Sequence, residues 1–183
     1  MVKGVATLLL NAYSKGGTRA LTVFLVGERD HDAPGTVWGL PMGGRKLSTG
    51  VAEQAAAELD EELHLQIDSA VLRSPERFVR ALVPVRGSQV AVFLARRAGE
   101  AGCGAFSRAA FAAARKRCIA EKRPSCFLET FACAHAPVER LLEEGHGGSL
   151  ADIDGSPLRL RDVFVTILRN EEVRQHLKEA LVA

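Results

Sequence analysis

The chain is poor in aromatic residues and in cysteine, and its apolar runs are short. Its 183 residues include one tryptophan, one tyrosine and four cysteines. No two cysteines form the CxxC pair that zinc sites commonly use, so we interpret the four as structural or idle thiols: Cys103, Cys118, Cys126 and Cys133. No apolar run approaches the roughly 18 residues of a membrane span, and the stretch from Val5 to Leu10 is too short for a signal peptide. We therefore expect a cytoplasmic protein without a membrane partner.

Neither sign of charge dominates the chain. Its 24 lysines and arginines against 22 aspartates and glutamates give a formal net charge of +2. This balance does not by itself indicate binding to nucleic acid or membranes, and it tolerates a small anionic ligand. The length and the hydrophobic share of 47% suit one soluble domain with a sizeable core. We expect a single domain over residues 1–183, with a basic helical segment at about 98–125 as a candidate insertion.

Hydrophobic patterning predicts a mixed chain of strands and helices. The predicted strands are Gly4–Ala12, Ala20–Val26, Val37–Pro41, Ala70–Leu72, Phe78–Val85, Gln89–Ala95 and Phe127–Ala134. The predicted helices are Thr49–Leu63, Phe106–Arg123, Val138–Glu144 and Arg159–Leu181. The polar segment Gly27–Thr36 reads as a loop, and Ser48 or Thr49 is expected to cap the first helix.

The first helix separates an apolar face from an acidic flank. At about 100° per residue its apolar side chains share one face: Ala52, Ala55, Ala56, Leu59 and Leu63. Glu58, Glu61 and Glu62 lie together on the adjoining flank, where like charges three or four residues apart repel each other. A hard divalent cation would turn that repulsion into binding, because Mg²⁺ prefers oxygen ligands. An ordinary solvated acidic face is the alternative reading.

The loop before this helix favours the metal interpretation. Gly43 and Gly44 allow the backbone to approach a ligand closely, and a carbonyl of either one could complete a metal shell. Arg45 and Lys46 follow directly and could meet a substrate phosphate, although they suit a solvated surface equally well.

The segment from Trp38 to Leu65 resembles the Nudix box. The box reads Gly, five residues, Glu, seven residues, then Arg-Glu-apolar-x-Glu-Glu-x-Gly-apolar. Counted from Gly43, the chain matches the box at Glu58, Leu59, Glu61, Glu62 and Leu65. It departs from the box at Thr49, Ala57 and His64, which stand at the Glu, Arg and final Gly positions. In the family that Glu and Arg generally form a structural salt bridge, and here both partners are absent together.

The resemblance implies a fold and an activity. The fold is an α/β (α+β) sandwich, with a mixed β-sheet between layers of helices. The activity is hydrolysis of a phosphoanhydride bond in a nucleoside diphosphate linked to another group, with Mg²⁺ or Mn²⁺ as cofactor. Glu58, Glu61 and Glu62 are the implied catalytic and metal-binding residues, with a carbonyl of Gly43 or Gly44. Family members often take a general base from a later loop, for which Glu100 and then Glu129 are the candidates.

The substrate stays open at this stage. Trp38 could stack on a base or could be a core aromatic beneath the loop. The basic segment 108–123 could hold a phosphate-rich ligand such as a dinucleoside polyphosphate, an inositol pyrophosphate or capped RNA, and it could equally be a solvated helix face. Many family members dimerise, so a homodimer also stays open.

Two further interpretations assign the chain to other classes of protein. The three departures from the box are compatible with a Nudix-fold module that binds a nucleotide and regulates without cleaving it. The chain could also be an unrelated α/β domain with an acidic surface helix. Binding of a divalent metal separates the unrelated domain from the other two readings, and turnover separates the enzyme from the regulatory module.

Overall fold

The computed structural model describes residues 1–15, 17–32, 34–46, 48–100 and 107–183. Its strands are β1 (Val2–Leu8), β2 (Leu10–Lys15), β3 (Thr18–Arg29), β4 (Thr36–Gly39), β5 (Met42–Gly44), β6 (Phe78–Val85), β7 (Ser88–Ala95), β8 (Ala132–Pro137), β9 (Ser149–Ala151) and β10 (Pro157–Arg159). Its α-helices are α1 (Val51–Leu63), α2 (Ser69–Arg73), α3 (Arg108–Ala120), α4 (Val138–Glu143), α5 (Asp162–Arg169) and α6 (Glu171–Val182). Cys103 and the predicted helix start at Phe106 lie outside the described residues.

A mixed sheet in the order β5-β1-β7-β6 forms the centre of the fold. β1 runs parallel to β7 and antiparallel to β5, and β7 forms an antiparallel hairpin with β6. Every residue of β7 from Val90 to Ala95 is buried, so both faces of the sheet are covered. α1 packs against β1 and β5, and α5 packs against β6. The fold is an α/β/α sandwich with the mixed sheet between helices, as expected.

The long strand β3 organises the second sheet. Its first half pairs with β2 and its last four residues pair with β4, while its middle pairs with β8. Gly27 in β3 lies under the ring of Trp38, since a Cβ there would come within 3.0 Å of the indole carbons. β3 thereby carries Glu28 and Arg29 beyond the covered core to the edge of the sandwich.

Five predictions of secondary structure are wrong. The strand predicted from Gly4 to Ala12 divides at Leu9, where the chain passes from β1 in the first sheet to β2 in the second. Its three leucines are all buried, so hydrophobicity does not mark the break. The segment Ala70–Leu72 is helical because the Asp68 side chain accepts a hydrogen bond from the amide of Ala70 and caps α2.

The other three corrections concern β8, β3 and the last helix. The strand predicted over Phe127–Ala134 begins only at Ala132, because the amide of Phe127 donates to the carbonyl of Pro124 at 3.0 Å and Ser125–Leu128 forms a 3-10 helix. Gly27–Arg29 belongs to β3 and is not a loop, since it pairs with β4. The helix predicted over Arg159–Leu181 is two helices with Arg159 in β10, because Asn170 leaves the helical conformation and its side chain caps α6 by accepting from the amide of Val173.

The ends of α1 also differ from expectation. The N-cap is Gly50, which provides no side-chain hydrogen bond, and neither Ser48 nor Thr49 takes that role. At the other end His64 adopts the left-handed conformation with φ of 56°, which is the conformation that the glycine of the box adopts readily. The His64 ring stacks on Phe111 of α3 with 5.4 Å between centroids, so the residue that replaces glycine also connects two helices.

In the described part of the chain, no helix combines the length and the apolar character needed to cross a membrane.

The histidine of β8 makes stability depend on pH. His135 is buried between the rings of Phe24 and Tyr13, and its Nδ1 lies 3.4 Å from the hydroxyl of Thr22. Burial lowers the pKa of His135 from 6.5 to about 4, and the positive charge of Arg108 adds to this effect. Between these two pH values the unfolded chain holds more protons, so acidification favours unfolding.

We expect the free energy of unfolding to fall as the pH drops from 6.5 to 4, with a contribution from His135 of up to roughly 3 kcal/mol. Urea titrations of the wild type and of His135→Gln across this range measure the difference in slope. His146→Gln is the control, because that histidine is exposed and should retain the wild-type slope. An unchanged slope in His135→Gln would contradict the assignment.

Candidate metal centre

Two of the three box glutamates are buried against strand β5. Glu62 accepts a hydrogen bond from the amide of Met42 at 3.0 Å, and Glu58 accepts one from the side chain of Gln54. Both glutamates are less than a tenth exposed, whereas Glu61 is half-buried. The acidic flank of α1 is therefore turned towards β5, and for Glu58 and Glu62 the reading as a solvated face is wrong.

Gly43 leaves room for the carboxyl group of Glu58 at β5. A Cβ added at Gly43 would overlap the carboxyl group of Glu58, whereas one added at Gly44 would meet nothing within 4 Å. β5 in turn is fixed by antiparallel pairing with β1. The two glycines thus differ in role: Gly43 admits the carboxylate, and Gly44 is exposed beside it.

Two carboxylates from elsewhere in the chain join the box glutamates. Glu28 comes from the end of β3, and Glu129 follows a 3-10 helix at Ser125–Leu128. Burial raises the pKa of Glu28; Arg161 opposes this shift, and the charge of Glu129 adds to it. We call these five residues the carboxylate cluster: Glu28, Glu58, Glu61, Glu62 and Glu129.

The carboxylates of the cluster disfavour one another's charge. Burial is the main cause that raises the pKa of Glu62 to about 9, and the charges of Glu28 and Glu58 raise it further. Burial also raises the pKa of Glu58, and the charges of Glu61 and Glu129 act in the same direction. Without a cation, negative charge is therefore unfavourable in this part of the molecule.

Glu129 is held in place from both sides. The hydroxyl of Thr130, which is fully buried, donates to the backbone carbonyl of Glu62 at 2.7 Å. Arg115 of α3 donates to the carbonyls of Leu128 and Thr130, at 3.4 and 3.1 Å. The backbone on either side of Glu129 is therefore fixed to α1 and α3, while its side chain stays exposed.

The basic residues are divided between the cluster and the scaffold. Arg161 forms an ion pair with Glu28, and Lys46 acts on Glu58 by charge attraction, lowering its pKa in part. Arg45 instead donates to the carbonyl of Thr49 at 3.4 Å. In α3 and its C-terminal end, Arg123 pairs with Asp60 at 3.4 Å and lies over the ring of Phe127. Part of the basic segment therefore supports the fold and does not form a solvated face.

Glu100 lies apart from the cluster, whereas Trp38 packs into the core beside it, opposite Gly27, the neighbour of Glu28. The amide of Gly99, next to Glu100, bonds the carbonyl of Leu10, which pairs with Val23. Val23 precedes Glu28 by five residues, or about 17 Å along an extended strand. Trp38 packs on Gly27 and against the core, so its ring is partly buried.

Sequence reasoning missed Glu28 and Arg161. Glu28 fell within a segment read as a loop, and Arg161 within a segment read as a long helix. The available signal was the run of β-prone residues up to Val26. A predicted strand extended beyond this run would have included the acidic residue Glu28 near its end.

The donor set suits a hard divalent cation in its chemistry. All five side chains of the cluster offer carboxylate oxygens, the ligands that Mg²⁺ and Mn²⁺ prefer, and their mutual repulsion would be relieved by a cation. Within the described ranges, no group of three or more His, Cys, Asp or Glu side chains is already arranged to hold one metal ion. Glu62 and Glu58 each accept a hydrogen bond, from Met42 and Gln54, so a metal ion would share these carboxylates with those donors or displace them.

Two cavities adjoin the cluster. One, of about 780 Å³, lies over Met42, Gly43 and Gly44 and is lined by the arginines Arg29, Arg86, Arg159 and Arg161. The other, of about 750 Å³, includes Glu28 and Glu129 in its wall. The first cavity places cationic side chains beside the strand that receives Glu58, and three of its arginines are paired with carboxylates: Arg86 with Asp162, Arg159 with Asp30, and Arg161 with Glu28.

No family profile matches the chain, and no curated protein matches its sequence. Solved structures do match it. A mutT/nudix family protein from Listeria innocua is 14% identical over 100% of this chain and 99% of its own, with a TM-score of 0.48. A MutT/nudix family protein from Enterococcus faecalis is 19% identical, over 52% of this chain and only 36% of its own, with a TM-score of 0.39. An Ap4A hydrolase from C. elegans is 15% identical over 52% of this chain and 65% of its own, with a TM-score of 0.35. The similarity to MutT/nudix proteins concerns the fold alone.

The raised pKa of Glu62 predicts the pH dependence of the metal-free protein. Because the folded pKa of about 9 exceeds the ordinary value of 4.5, the folded state holds a proton that the unfolded chain loses, and stability falls as the pH rises. Between pH 7 and 9 we expect the free energy of unfolding in chelator to fall by up to roughly 1 kcal/mol per pH unit, and Glu62→Gln to flatten this slope.

Glu53→Gln is the matched control for this measurement. Glu53 lies on the same helix, is exposed and pairs with Arg73, and its pKa is lowered, mainly by a hydrogen bond with its own backbone. It therefore does not titrate between pH 7 and 9. Equal slopes in the wild type and Glu62→Gln would show that Glu62 is ionised throughout.

Proposed function

We propose that this chain is a metal-dependent hydrolase that cleaves a phosphoanhydride bond in a nucleotide-derived substrate. The observation that carries the proposal is the burial of Glu58 and Glu62 against β5 beside other carboxylates. Burying like charges together is costly unless a cation or a proton compensates. A helix that needed only solubility would have had no reason to turn these side chains inwards.

Glu58, Glu61 and Glu62 would hold Mg²⁺ or Mn²⁺, with the carbonyl of Gly43 or Gly44 as a further ligand. Such an ion neutralises charge on phosphate oxygens and lowers the pKa of a bound water. Lys46, whose charge acts on Glu58, would meet a phosphate of the substrate, whereas Arg45 donates to the backbone of Thr49.

Glu129 is favoured over Glu100 as the general base. Its carboxylate is exposed at the cluster, and its backbone is fixed through Thr130 and Arg115, so its side chain can accept a proton from the attacking water at a defined position. Glu100 lies next to Gly99, which is bonded to the carbonyl of Leu10, and no interaction joins it to the carboxylate cluster in the described residues.

A second candidate function is a regulatory module that binds the substrate without cleaving it. The ion pair of Arg161 with Glu28 favours this reading, because the protein itself supplies a cation to the cluster. In that case the chain would bind divalent metal and nucleotide while turnover stayed at background. The substrate of either function is a small, nucleotide-derived phosphoanhydride, with an inositol pyrophosphate or capped RNA as the alternatives.

The decisive assay measures release of phosphate or nucleotide from dinucleotides, nucleotide sugars, nucleoside triphosphates, inositol pyrophosphates and capped RNA. Each substrate is tested with Mg²⁺, with Mn²⁺ and with chelator. Metal ions supply several kcal/mol of transition-state stabilisation, so we expect Glu61→Gln and Glu62→Gln each to lower kcat/KM by roughly 100-fold or more. Glu53→Gln on the outer side of α1 should retain activity. Full turnover in both site variants would overturn the metal assignment, and metal binding without any turnover would favour the regulatory module.

The two glycines of β5 provide a matched pair of variants. Gly43→Ala should displace the carboxylate of Glu58, because the added methyl group occupies its place, and Gly44→Ala should displace nothing. Disturbing the groups that orient a metal ligand typically costs 10- to 100-fold in affinity. We therefore expect roughly that loss of Mn²⁺ affinity in Gly43→Ala alone, measured by calorimetry or electron paramagnetic resonance. Equal affinities in both variants would show that metal binding does not depend on the position that Glu58 occupies beside Gly43.

A further inference from the structure

The cavity of about 750 Å³ beside the cluster combines an aromatic surface with charged groups. Its wall includes two apolar side chains, Leu128 and Phe131, and the charged side chains of Glu28, Glu129, Arg29 and Arg115. Phe131 is 40% exposed, although the residue before it is fully buried. An exposed aromatic ring in a concave site is suited to contact with a planar ligand.

Phe131 is presented on a rigid backbone. Its amide donates to the carbonyl of Gly27 in β3 at 3.1 Å, and the neighbouring Thr130 is anchored to the carbonyl of Glu62. Arg115 holds the same segment through two carbonyls. The ring therefore needs little ordering when a ligand binds, which preserves affinity.

Arg29 supplies a cation in the wall of this cavity. It is exposed, and its guanidinium forms no ion pair with any residue in the described ranges, unlike Arg159 and Arg161 nearby. Arg29 also lines the larger cavity over Met42, Gly43 and Gly44. An anionic group bound at Arg29 would lie between the two cavities and next to Glu28 of the carboxylate cluster.

We propose that the Phe131 cavity binds the nucleoside monophosphate end of the substrate, with the base stacked on Phe131 and its phosphate at Arg29. The phosphates of the substrate then extend past Glu28 to the cavity over Gly43. The part of the substrate beyond the anhydride lies there among arginines. This inference rests on the proposed function for the position of the anhydride, but base and phosphate recognition are testable without turnover.

The test separates the two halves of the ligand. Binding of adenosine monophosphate, adenosine and ribose 5-phosphate is measured by calorimetry, with Mg²⁺ and with chelator, and repeated with guanine and uracil compounds. None of these probes contains an anhydride, so none is consumed. Phe131→Leu should weaken the nucleoside and the nucleotide roughly tenfold and leave ribose 5-phosphate unchanged. Arg29→Gln should weaken the nucleotide and ribose 5-phosphate and leave the nucleoside unchanged.

The controls are residues of similar exposure away from the cavity. Arg19→Gln changes an exposed arginine near the other end of β3, and Leu82→Ala changes an exposed apolar side chain on β6. Phe131→Trp should restore nucleoside binding, because it retains an aromatic surface. The inference is overturned if no base-containing probe binds the wild type. It is also overturned if Phe131→Leu leaves nucleoside binding unchanged, or if the controls lose as much as the site variants.

Failure of this inference and failure of the hydrolase proposal give different results. If Glu62→Gln abolishes hydrolysis while Phe131→Leu changes no binding, the hydrolase proposal is supported and the base of the substrate binds at another site. If the variants at Phe131 and Arg29 weaken binding as expected but no substrate is cleaved, the nucleotide site stands and the hydrolase proposal fails.

Discussion

The packing of α1 against β5 is the constraint on which the rest of the site depends. The helix can approach the strand because Gly43 has no side chain, and Glu62 fixes the approach by accepting from the amide of Met42. Both contacts place carboxylates in a poorly solvated position, where their charge is disfavoured. The rest of the site lies around this junction: β3 brings Glu28, and the segment after the 3-10 helix brings Glu129.

Stability and function oppose each other in this region. A buried carboxylate with a raised pKa lowers the stability of the metal-free protein at neutral pH, and the core must offset that cost. In the surrounding sheet β7 is buried from Val90 to Ala95 and β1 from Val5 to Leu8, so the destabilised region lies on a well-packed support. Marginally stable proteins commonly concentrate such unfavourable electrostatics where ligands bind.

The sequence predicted the elements with clear periodicity and missed those set by tertiary contacts. α1 and the β6–β7 hairpin followed from spacing, as did the common flank of Glu58 and Glu62 on α1. The division at Leu9 could not be seen, because a strand buried on both faces has no alternation to interrupt. Glu28 and Arg161 were missed for a different reason: their roles arise from pairing between β3, β4 and the segment after β10, which no local pattern reports.

Helix α3 has a consequence for how this chain can be shortened. From sequence, the basic segment resembles a removable insertion. Yet Phe111 stacks on His64 at the end of α1, Arg123 just beyond the helix pairs with Asp60, and Arg115 holds the backbone on both sides of Glu129. A minimised version of the protein that omits this helix would keep every residue of the box and still lose the support behind it. The smallest functional unit is therefore larger than the motif and its sheet.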